Sequence, residues 1–233
     1  MSIPLTLGVP DRPDPQALVA GLLLQRCAGI DALAHTHSGV TAGPPVLAAS
    51  LVRDVPKGTD LGRIIVQLDI DPEELRASSA AYEVVRFQVD VDSTTVDDAV
   101  RLRLPSPLVI FPDATETDVM DVVTSIVDKG RTPGISADVR PRHIADVLAV
   151  VAHADTGVSA RARDGQDVLA ILAATVAALR GDDIPTALAA PNLGALAKLR
   201  PEAAQAVRTV LLGIEIADAA GAHRSLAAAQ LIG

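Results

Sequence analysis

The chain has 233 residues, of which 49% are hydrophobic and only 1% aromatic, and its formal net charge at pH 7 is −9. Its core must therefore be built from aliphatic side chains and alanine, and few rings are present to stack on bases. The acidic balance and the lack of clustered lysine and arginine also argue against binding to nucleic acid.

The N-terminus, the longest apolar runs and the single cysteine bear on the location of the protein. We find no N-terminal signal peptide, and no uninterrupted apolar run reaches the roughly 18 residues that a membrane span needs. We therefore expect a cytoplasmic location and no membrane partner. The single cysteine, Cys27, lies in a helix-like run, which predicts a buried thiol rather than a nucleophile.

Short apolar runs alternate with helix-like segments along the chain. Helices are predicted, in chain order, at residues 15–28, 46–55, 71–83, 93–102, 116–130, 140–155 and 164–181. The segment 193–233 is rich in alanine, and we expect it to be mostly helical. Eight strands are predicted between these segments, at residues 5–9, 31–37, 63–70, 84–92, 107–113, 134–139, 158–162 and 186–192.

This alternation predicts the fold class. A strand followed by a helix and another strand implies parallel strands joined by right-handed crossovers, and eight such units can close on themselves. We therefore predict an α/β protein in which residues 1–233 form a single (β/α)8 TIM-type barrel domain, with 193–233 as a helical C-terminal segment. The alternative is an open doubly wound parallel sheet, in which residues 186–192 would be helix or loop.

The predicted strands 63–70 and 84–92 show the clearest alternation of apolar and polar side chains. In the first, Gln67 and Asp69 lie opposite an apolar face, and in the second Gln88 and Asp90 do so. If the apolar faces pack on helices, the polar faces point into the barrel. The interior of a barrel opens at the C-terminal ends of its strands, where barrel enzymes carry their active sites.

Residues suited to acid–base chemistry and ligand binding are predicted at these strand ends. We assign Asp69 and Asp90 as an acid/base pair, with His35 or His37 as a second proton carrier. Carboxylates gathered at one barrel mouth repel one another, which tunes their pKa values for proton transfer. For each acid, the alternative is that it caps the next helix. The predicted ligand-binding residues are Asp11, Gln67, Gln88, Asp113, Asp138, Arg161 and Asn192.

Two local patterns bear on the cofactor and the ligand. His35 and His37 form an H-x-H pair, which on a strand would place both imidazoles on one face as ligands of a divalent metal. The alternative is a pair of hydrogen-bonding or proton-transferring histidines in a polar loop. Arg161 and Asn192 would follow the seventh and eighth strands, where many barrels bind phosphate, so they predict a phosphorylated or carboxylated ligand.

Residues 29–49, GIDALAHTHSGVTAGPPVLAA, resemble the second βα unit of ribulose-phosphate-binding barrels of the epimerase type. Those barrels also carry a histidine and a second ligand on this strand, and a G-P-P-V turn before the next helix. The resemblance implies that His35 and His37 occupy metal or acid/base positions. The chain departs from these epimerases at Gln67, where they place a histidine, and at Ser38 and Gly39, where their Asp-rich motif is absent.

These observations favour a small-molecule lyase or isomerase that uses carboxylate and histidine acid–base chemistry on a polar, anionic metabolite. The sequence has no P-loop, no G-x-G-x-x-G and no G-x-S-x-G motif, which disfavours nucleotide binding by those routes and serine hydrolysis. The alternative is a noncatalytic ligand-binding or assembly protein on the same scaffold. The apolar residues of the predicted helical tail would then face a partner subunit in a homo-oligomer; they include Leu211, Leu212, Ile214 and Ile216.

Overall fold

The structure is a computed structural model that describes residues 16–92, 94–113 and 119–232. Its strands are β1 Leu23–Gln25, β2 Val46–Ala48, β3 Asp60–Leu68, β4 Ala81–Val91, β5 Leu108–Pro112, β6 Thr132–Ser136, β7 Val158–Arg161 and β8 Leu211–Ile216. These eight strands run parallel in the order β1-β8-β7-β6-β5-β4-β3-β2 and form a nearly closed barrel. The arrangement is the predicted TIM-type fold, and it excludes the open doubly wound sheet.

Helices connect the strands and form the outer layer. They are α1 Ala49–Arg53, α2 Val96–Arg101, α3 Val119–Asp128, α4 Pro141–Val151, α5 Gly165–Arg180, α6 Ile184–Ala189, α7 Leu193–Leu196, α8 Pro201–Val210 and α9 Ala219–Ala228, with 3-10 helices at Ile30–His35 and Pro72–Ala77. The helix α5 shows how the sequence sets such bounds, since Asp164 caps its first turn and Gly181 ends it in the left-handed conformation. None of the helices in the described part of the chain combines the length and hydropathy of a membrane span.

The barrel closes between β1 and the segment that leads into β2. Two isolated bridges pair Leu23 with Ala42 and Arg26 with Val46, and the backbone N–H of Leu23 donates to Thr41 O at 2.8 Å. Gly43 allows this close approach, because an added Cβ would lie 2.7 Å from a backbone oxygen of the neighbouring segment. The two edges of the sheet are therefore joined by backbone hydrogen bonds.

The core lies mainly between the barrel and its helices. On β3, the outward-facing Ile64, Val66 and Leu68 are buried with Phe87 and Val91 of β4, as the alternation predicts. Each fully buried aliphatic side chain of this kind contributes about 1.5–3 kcal/mol to the free energy of unfolding. A separate, much smaller apolar cluster fills part of the barrel interior, and it comprises Leu24, Val46 and Ile65, with Val85 packed against it.

Three strands differ from the sequence prediction in position. The predicted helix 15–28 contains β1, the predicted helix 46–55 begins with β2, and the predicted helical segment 193–233 contains β8. Strands of a parallel barrel are buried on both faces, so their sequences are continuous apolar runs that periodicity does not separate from helices. Hydrogen bonding to neighbouring strands makes these three runs strands rather than helices.

Two predicted strands are helical, and a third lies outside the described residues. Residues 31–37 fall largely in the 3-10 helix Ile30–His35, and residues 186–192 overlap α6, whose first turn is capped by Asp183. The strand predicted at residues 5–9 belongs to the part that the structure does not describe.

The apolar residues near the C-terminus have partners within the chain. Leu211, Ile214 and Ile216 lie on β8 and are at most 2% exposed, and Leu212 is on the same strand. The prediction that these side chains form a subunit interface on a surface helix is therefore wrong, because the four residues lie on a strand of the barrel, and Leu211, Ile214 and Ile216 pack against the surrounding helices. The oligomeric state itself remains a prediction.

Candidate functional site

Polar side chains converge inside the barrel at the C-terminal ends of its strands. The strand register places neighbouring members at the same height along the barrel axis, because Gln67 on β3 pairs with Gln88 on β4 and Arg161 on β7 pairs with Glu215 on β8. These side chains alternate with outward-facing apolar residues, so a period of two in the sequence builds a polar interior. We refer to the following residues as the mouth network: Arg26, Gln67, Gln88, Asp90, Arg161 and Glu215.

Glu215 is the buried centre of the mouth network, with 1% of its side chain exposed. It accepts hydrogen bonds from Gln88 Nε2 at 2.6 Å, from Arg161 Nε at 3.3 Å and from Arg26 Nε. A carboxylate removed from water is retained as a charge only when it is paired and hydrogen-bonded, and both conditions are met here. Glu215 therefore holds the guanidinium groups of Arg26 and Arg161 in place.

Arg161 links this buried carboxylate to the open end of the barrel. Its Nη1 donates to Asp90 Oδ1 and its Nη2 donates to Gln67 Oε1 at 2.7 Å, while Gln67 Nε2 donates to Asp90 Oδ2 at 3.1 Å. The three side chains form a closed ring of hydrogen bonds from three strands. Charge-assisted bonds in a ring of this kind fix the orientation of each member.

An aromatic ring supports the Arg161 guanidinium from one side. The centroid of the Phe111 ring lies 3.7 Å from Arg161 Cζ, which is cation–π geometry. The Phe111 ring also lies against Gly134 of β6, where an added Cβ would overlap the ring. Glycine at this position thus allows Phe111 to lie beneath Arg161.

A cavity of about 410 Å³ opens above the mouth network at the ends of β4 to β7. Asp90 and Arg161 both line it, together with Phe111, Asp113 and Ser136. The Asp90 side chain is 60% exposed, whereas that of Arg161 is 16% exposed. Asp90 is therefore the carboxylate of the mouth network that a bound molecule can reach.

Two further acids line the same cavity. Asp92 Oδ1 accepts from the backbone and hydroxyl groups of Thr94 and Thr95, and these bonds lower the pKa of Asp92 to about 2. These bonds stabilise the turn that leads into α2, whose N-cap residue is Thr95. Asp113 follows β5, and its backbone N–H donates to Val91 O at 2.7 Å. Both side chains add negative charge to the rim.

The structure does not join Asp69 and Asp90 as a pair. Asp69 accepts from the backbone N–H of Ser50 at 2.9 Å and from its hydroxyl at 2.5 Å. Burial raises the pKa of Asp69, but these bonds from Ser50 outweigh it and lower the pKa overall. The carboxylate thus holds the first turn of α1, while Asp90 bonds to Arg161 and Gln67 and shares no partner with it.

His35 and His37 lie outside the mouth network. His35 Nδ1 is 3.2 Å from Asp31 O, while His37 Nε2 is 2.8 Å from the hydroxyl of Thr41, which is 2.9 Å from His223 Nδ1. Because residues 31–37 are not a strand, the H-x-H spacing does not align the two imidazoles, and the predicted ligand pair is not assembled. Within the described residues, no three side chains from His, Cys, Asp and Glu come together as a metal site. Burial lowers the pKa of His37, and the charge of His223 lowers it further.

The remaining predicted ligand residues lie in four different places. Gln67, Gln88 and Arg161 lie in the mouth network as expected. Asn192 does not follow a strand and instead caps α7, accepting from the backbone N–H of Ala195 at 3.0 Å. Asp138 follows β6, where its carboxylate accepts from the Ser136 hydroxyl at 3.2 Å. Asp11 belongs to the part of the chain that the structure does not describe.

The helix N-termini after β7 and β8 are occupied by carboxylates of the chain itself. At the start of α5, Asp164 accepts from the backbone N–H groups of Gln166 and Asp167 at 2.9 and 3.0 Å. At the start of α9, Asp218 accepts from the backbone N–H of Gly221 at 2.7 Å. These termini are where barrels commonly bind phosphate, so here an anion would compete with a fixed negative charge.

A larger cavity of about 520 Å³ lies against the outer side of β4. It is bounded by the 3-10 helix Pro72–Ala77 and by the segment after α2, and its walls include Tyr82, Leu102 and Leu104. The mouth network contributes no residue to it. The smaller cavity is the better candidate for a functional site, because the buried charges converge there.

Sequence reasoning missed Glu215 and Arg26. Glu215 is the one charged residue of the apolar run LLGIEI, and Arg26 directly follows β1. Both segments were assigned to helices, where a lone charge is usually solvated. An isolated acid inside an apolar run was the signal that was available.

Comparisons with known proteins give no family assignment. No protein-family model, no curated protein and no solved structure matches this chain.

Proposed function

We propose that this protein is a barrel enzyme of the lyase or isomerase class, which carries out acid–base chemistry on a small polar metabolite. The observation that carries the proposal is the pairing of Asp90 and Arg161 across the mouth. The two residues come from β4 and β7, and both line the cavity above the mouth network. Acid–base sites at the C-terminal ends of barrel strands are the usual arrangement in this fold.

Each member of the site has a role in this proposal. Asp90 is the base, because it is the exposed carboxylate of the mouth network. Arg161 stabilises negative charge that develops on the ligand, and it is already oriented by Glu215 and Phe111. Asp113 is the second acid, since it directly follows β5, lines the same cavity and comes two residues after Phe111, the register partner of Asp90. Two residues along a strand correspond to about 7 Å, which leaves room for a small ligand between the two carboxylates.

The charges favour a neutral or cationic ligand over the anion predicted from sequence. The cavity is lined by Asp90, Asp92 and Asp113 against one guanidinium. That guanidinium, on Arg161, is already paired with Asp90 and Glu215. Carboxylates only accept hydrogen bonds, so the preferred ligand carries hydroxyl or amino groups that donate them.

The resemblance to ribulose-phosphate-binding epimerases gives limited support to this function. It agrees with the barrel fold and with an isomerase reaction. It does not support a phosphorylated substrate, because Asp164 and Asp218 occupy the two helix N-termini, and it does not support catalysis by His35 and His37, which lie outside the mouth network.

A noncatalytic ligand-binding protein is the competing function. One observation favours it, because all three nitrogens of the Arg161 guanidinium already have partners within the chain. A guanidinium held by three partners is suited to shaping a rigid pocket, and a rigid pocket can bind a ligand without catalysis.

A ligand screen followed by an exchange assay distinguishes these functions. Thermal-shift measurements would compare polyols, sugars, amino acids and amines with sugar phosphates and carboxylic acids. Each stabilising compound would then be incubated with the protein in D₂O and followed by ¹H NMR. We expect a compound of the first group to stabilise the protein and to exchange a carbon-bound proton or be converted. Binding without exchange or conversion would favour the noncatalytic function, and stabilisation by anions alone would overturn the ligand class.

A further inference from the structure

Two polar atoms on the inner face of β4, Arg86 Nε and Gln88 Oε1, have no hydrogen-bond partner among the described residues. Arg86 is 8% exposed and Gln88 is 0% exposed, so bulk solvent does not satisfy them. A buried donor or acceptor in a folded protein almost always has a partner, either in the protein or in a bound molecule. Each of the two atoms therefore points to a ligand inside the barrel.

The neighbouring side chains fix the chemistry of both atoms. Gln88 Nε2 donates to Glu215 Oε2 at 2.6 Å, and a flipped amide would place its oxygen against that carboxylate. The amide orientation therefore leaves Gln88 Oε1 as the acceptor without a partner among the described residues. Arg86 Nη2 donates to the Ser159 hydroxyl at 3.2 Å, which anchors the guanidinium and leaves Nε–H as a free donor.

These opposite requirements select the ligand. A molecule between the two atoms must accept a hydrogen bond from Arg86 and donate one to Gln88. A chloride ion or a carboxylate satisfies only Arg86, and an ammonium ion satisfies only Gln88. A hydroxyl group satisfies both, and water is the molecule carrying one that is small enough for a packed interior.

The geometry of the strand is compatible with one bridging water. Residues two apart on one face of a strand are about 6.6 Å apart at their Cα atoms, and two hydrogen bonds through one water span up to about 6 Å. Opposite Arg86, the strands β7 and β8 carry Ser159 and Gly213, and a Cβ added at Gly213 would lie 3.3 Å from Arg86 Nη2. Small residues on these strands thus make room for the Arg86 side chain.

We propose that a buried water molecule bridges Arg86 Nε and Gln88 Oε1 inside the barrel. The water extends the mouth network downward to Ser159. It also holds the Gln88 amide in the orientation that lets Nε2 donate to Glu215, so Arg86 and Gln88 are positioning residues for Glu215. This inference does not depend on which reaction the mouth carries out.

A crystal structure of the full chain, at a resolution where ordered waters are visible, tests the proposal directly. We expect one isolated density peak within about 3.2 Å of both Arg86 Nε and Gln88 Oε1. Absence of the peak, or a direct hydrogen bond between the two side chains, would overturn the proposal. A bromide soak identifies an anion, because an anomalous peak at this position would exclude water.

A matched pair of variants tests whether Gln88 is a partner of the water. Gln88→Met removes the acceptor, and Gln67→Met makes the same change at the register partner on β3. We expect the density peak to be lost in the first variant and retained in the second. A peak that persists in Gln88→Met would contradict the bridge. The wild-type crystal decides the question alone if a variant does not fold.

Discussion

Removal of the Glu215 carboxylate is the sharpest test of how the barrel interior is held together. In Glu215→Leu, the buried donor Gln88 Nε2 loses its acceptor, which costs about 1–3 kcal/mol. Arg161 loses one of its two carboxylates while it remains largely buried, which adds about 1.5–3 kcal/mol. Arg26 contributes little, because its side chain is 53% exposed and regains water. We expect the free energy of unfolding to fall by about 3–5 kcal/mol, the range for a broken buried ion pair.

Urea denaturation followed by circular dichroism measures this change. The free energy of unfolding varies linearly with urea concentration and can be extrapolated to its value in water. The control is Glu202→Leu, the same substitution at an exposed position in the first turn of α8, where we expect a loss below about 1 kcal/mol. Equal effects of the two substitutions would refute the assignment of Glu215 as the centre of the mouth network.

A double variant separates the orphaned donor from the lost ion pair. Gln88→Leu removes the donor that Glu215→Leu leaves without a partner. The double variant should therefore be destabilised by about 1–2 kcal/mol less than the sum of the single variants. Additivity within about 0.5 kcal/mol would show that the two side chains do not depend on each other.

Three other predictions concern the surroundings of the site. Gly134→Ala should lower the free energy of unfolding by about 1–3 kcal/mol, measured by urea denaturation, because the new methyl group overlaps the Phe111 ring; no destabilisation would contradict this packing. Asp69→Asn should cost about 1 kcal/mol in the same assay by weakening the bonds to Ser50, and no loss of stability would contradict a capping role. For His37, the folded pKa lies below the ordinary value of 6.5, so the unfolded state takes up the proton first and stability falls as the pH drops below about 6.5. His37→Gln should flatten the dependence of stability on pH between about 7 and 5, and an unchanged slope would contradict this origin.

The central strands of the barrel could be predicted from the sequence. In β3 and β4, apolar and polar residues alternate cleanly, and this pattern placed Gln67, Gln88 and Asp90 inside the barrel as the structure has them. Arg161 was also placed at the end of a strand. These predictions succeeded because a period of two has one physical meaning when one face is apolar and the other polar.

The strands at and next to the closure of the barrel could not be predicted in the same way. The runs that form β1, β2 and β8 are mostly apolar and show no regular alternation, and their flanks are rich in alanine, so local pattern favours helix. Only pairing with distant strands reveals them as strands. The same error hid Glu215, and the H-x-H pattern of His35 and His37 misled because a 3-10 helix replaces the expected strand.

The deuterium content of a bound metabolite is the measurement that most directly tests acid–base chemistry at the mouth. With a compound that stabilises the protein, the wild-type chain should incorporate solvent deuterium at a carbon atom. Asp90→Asn should slow this incorporation by about 10²–10⁴-fold, whereas Asp128→Asn, the same change at the exposed end of α3, should leave it unchanged. Equal rates in the wild type and Asp90→Asn would contradict the assignment of Asp90 as the base.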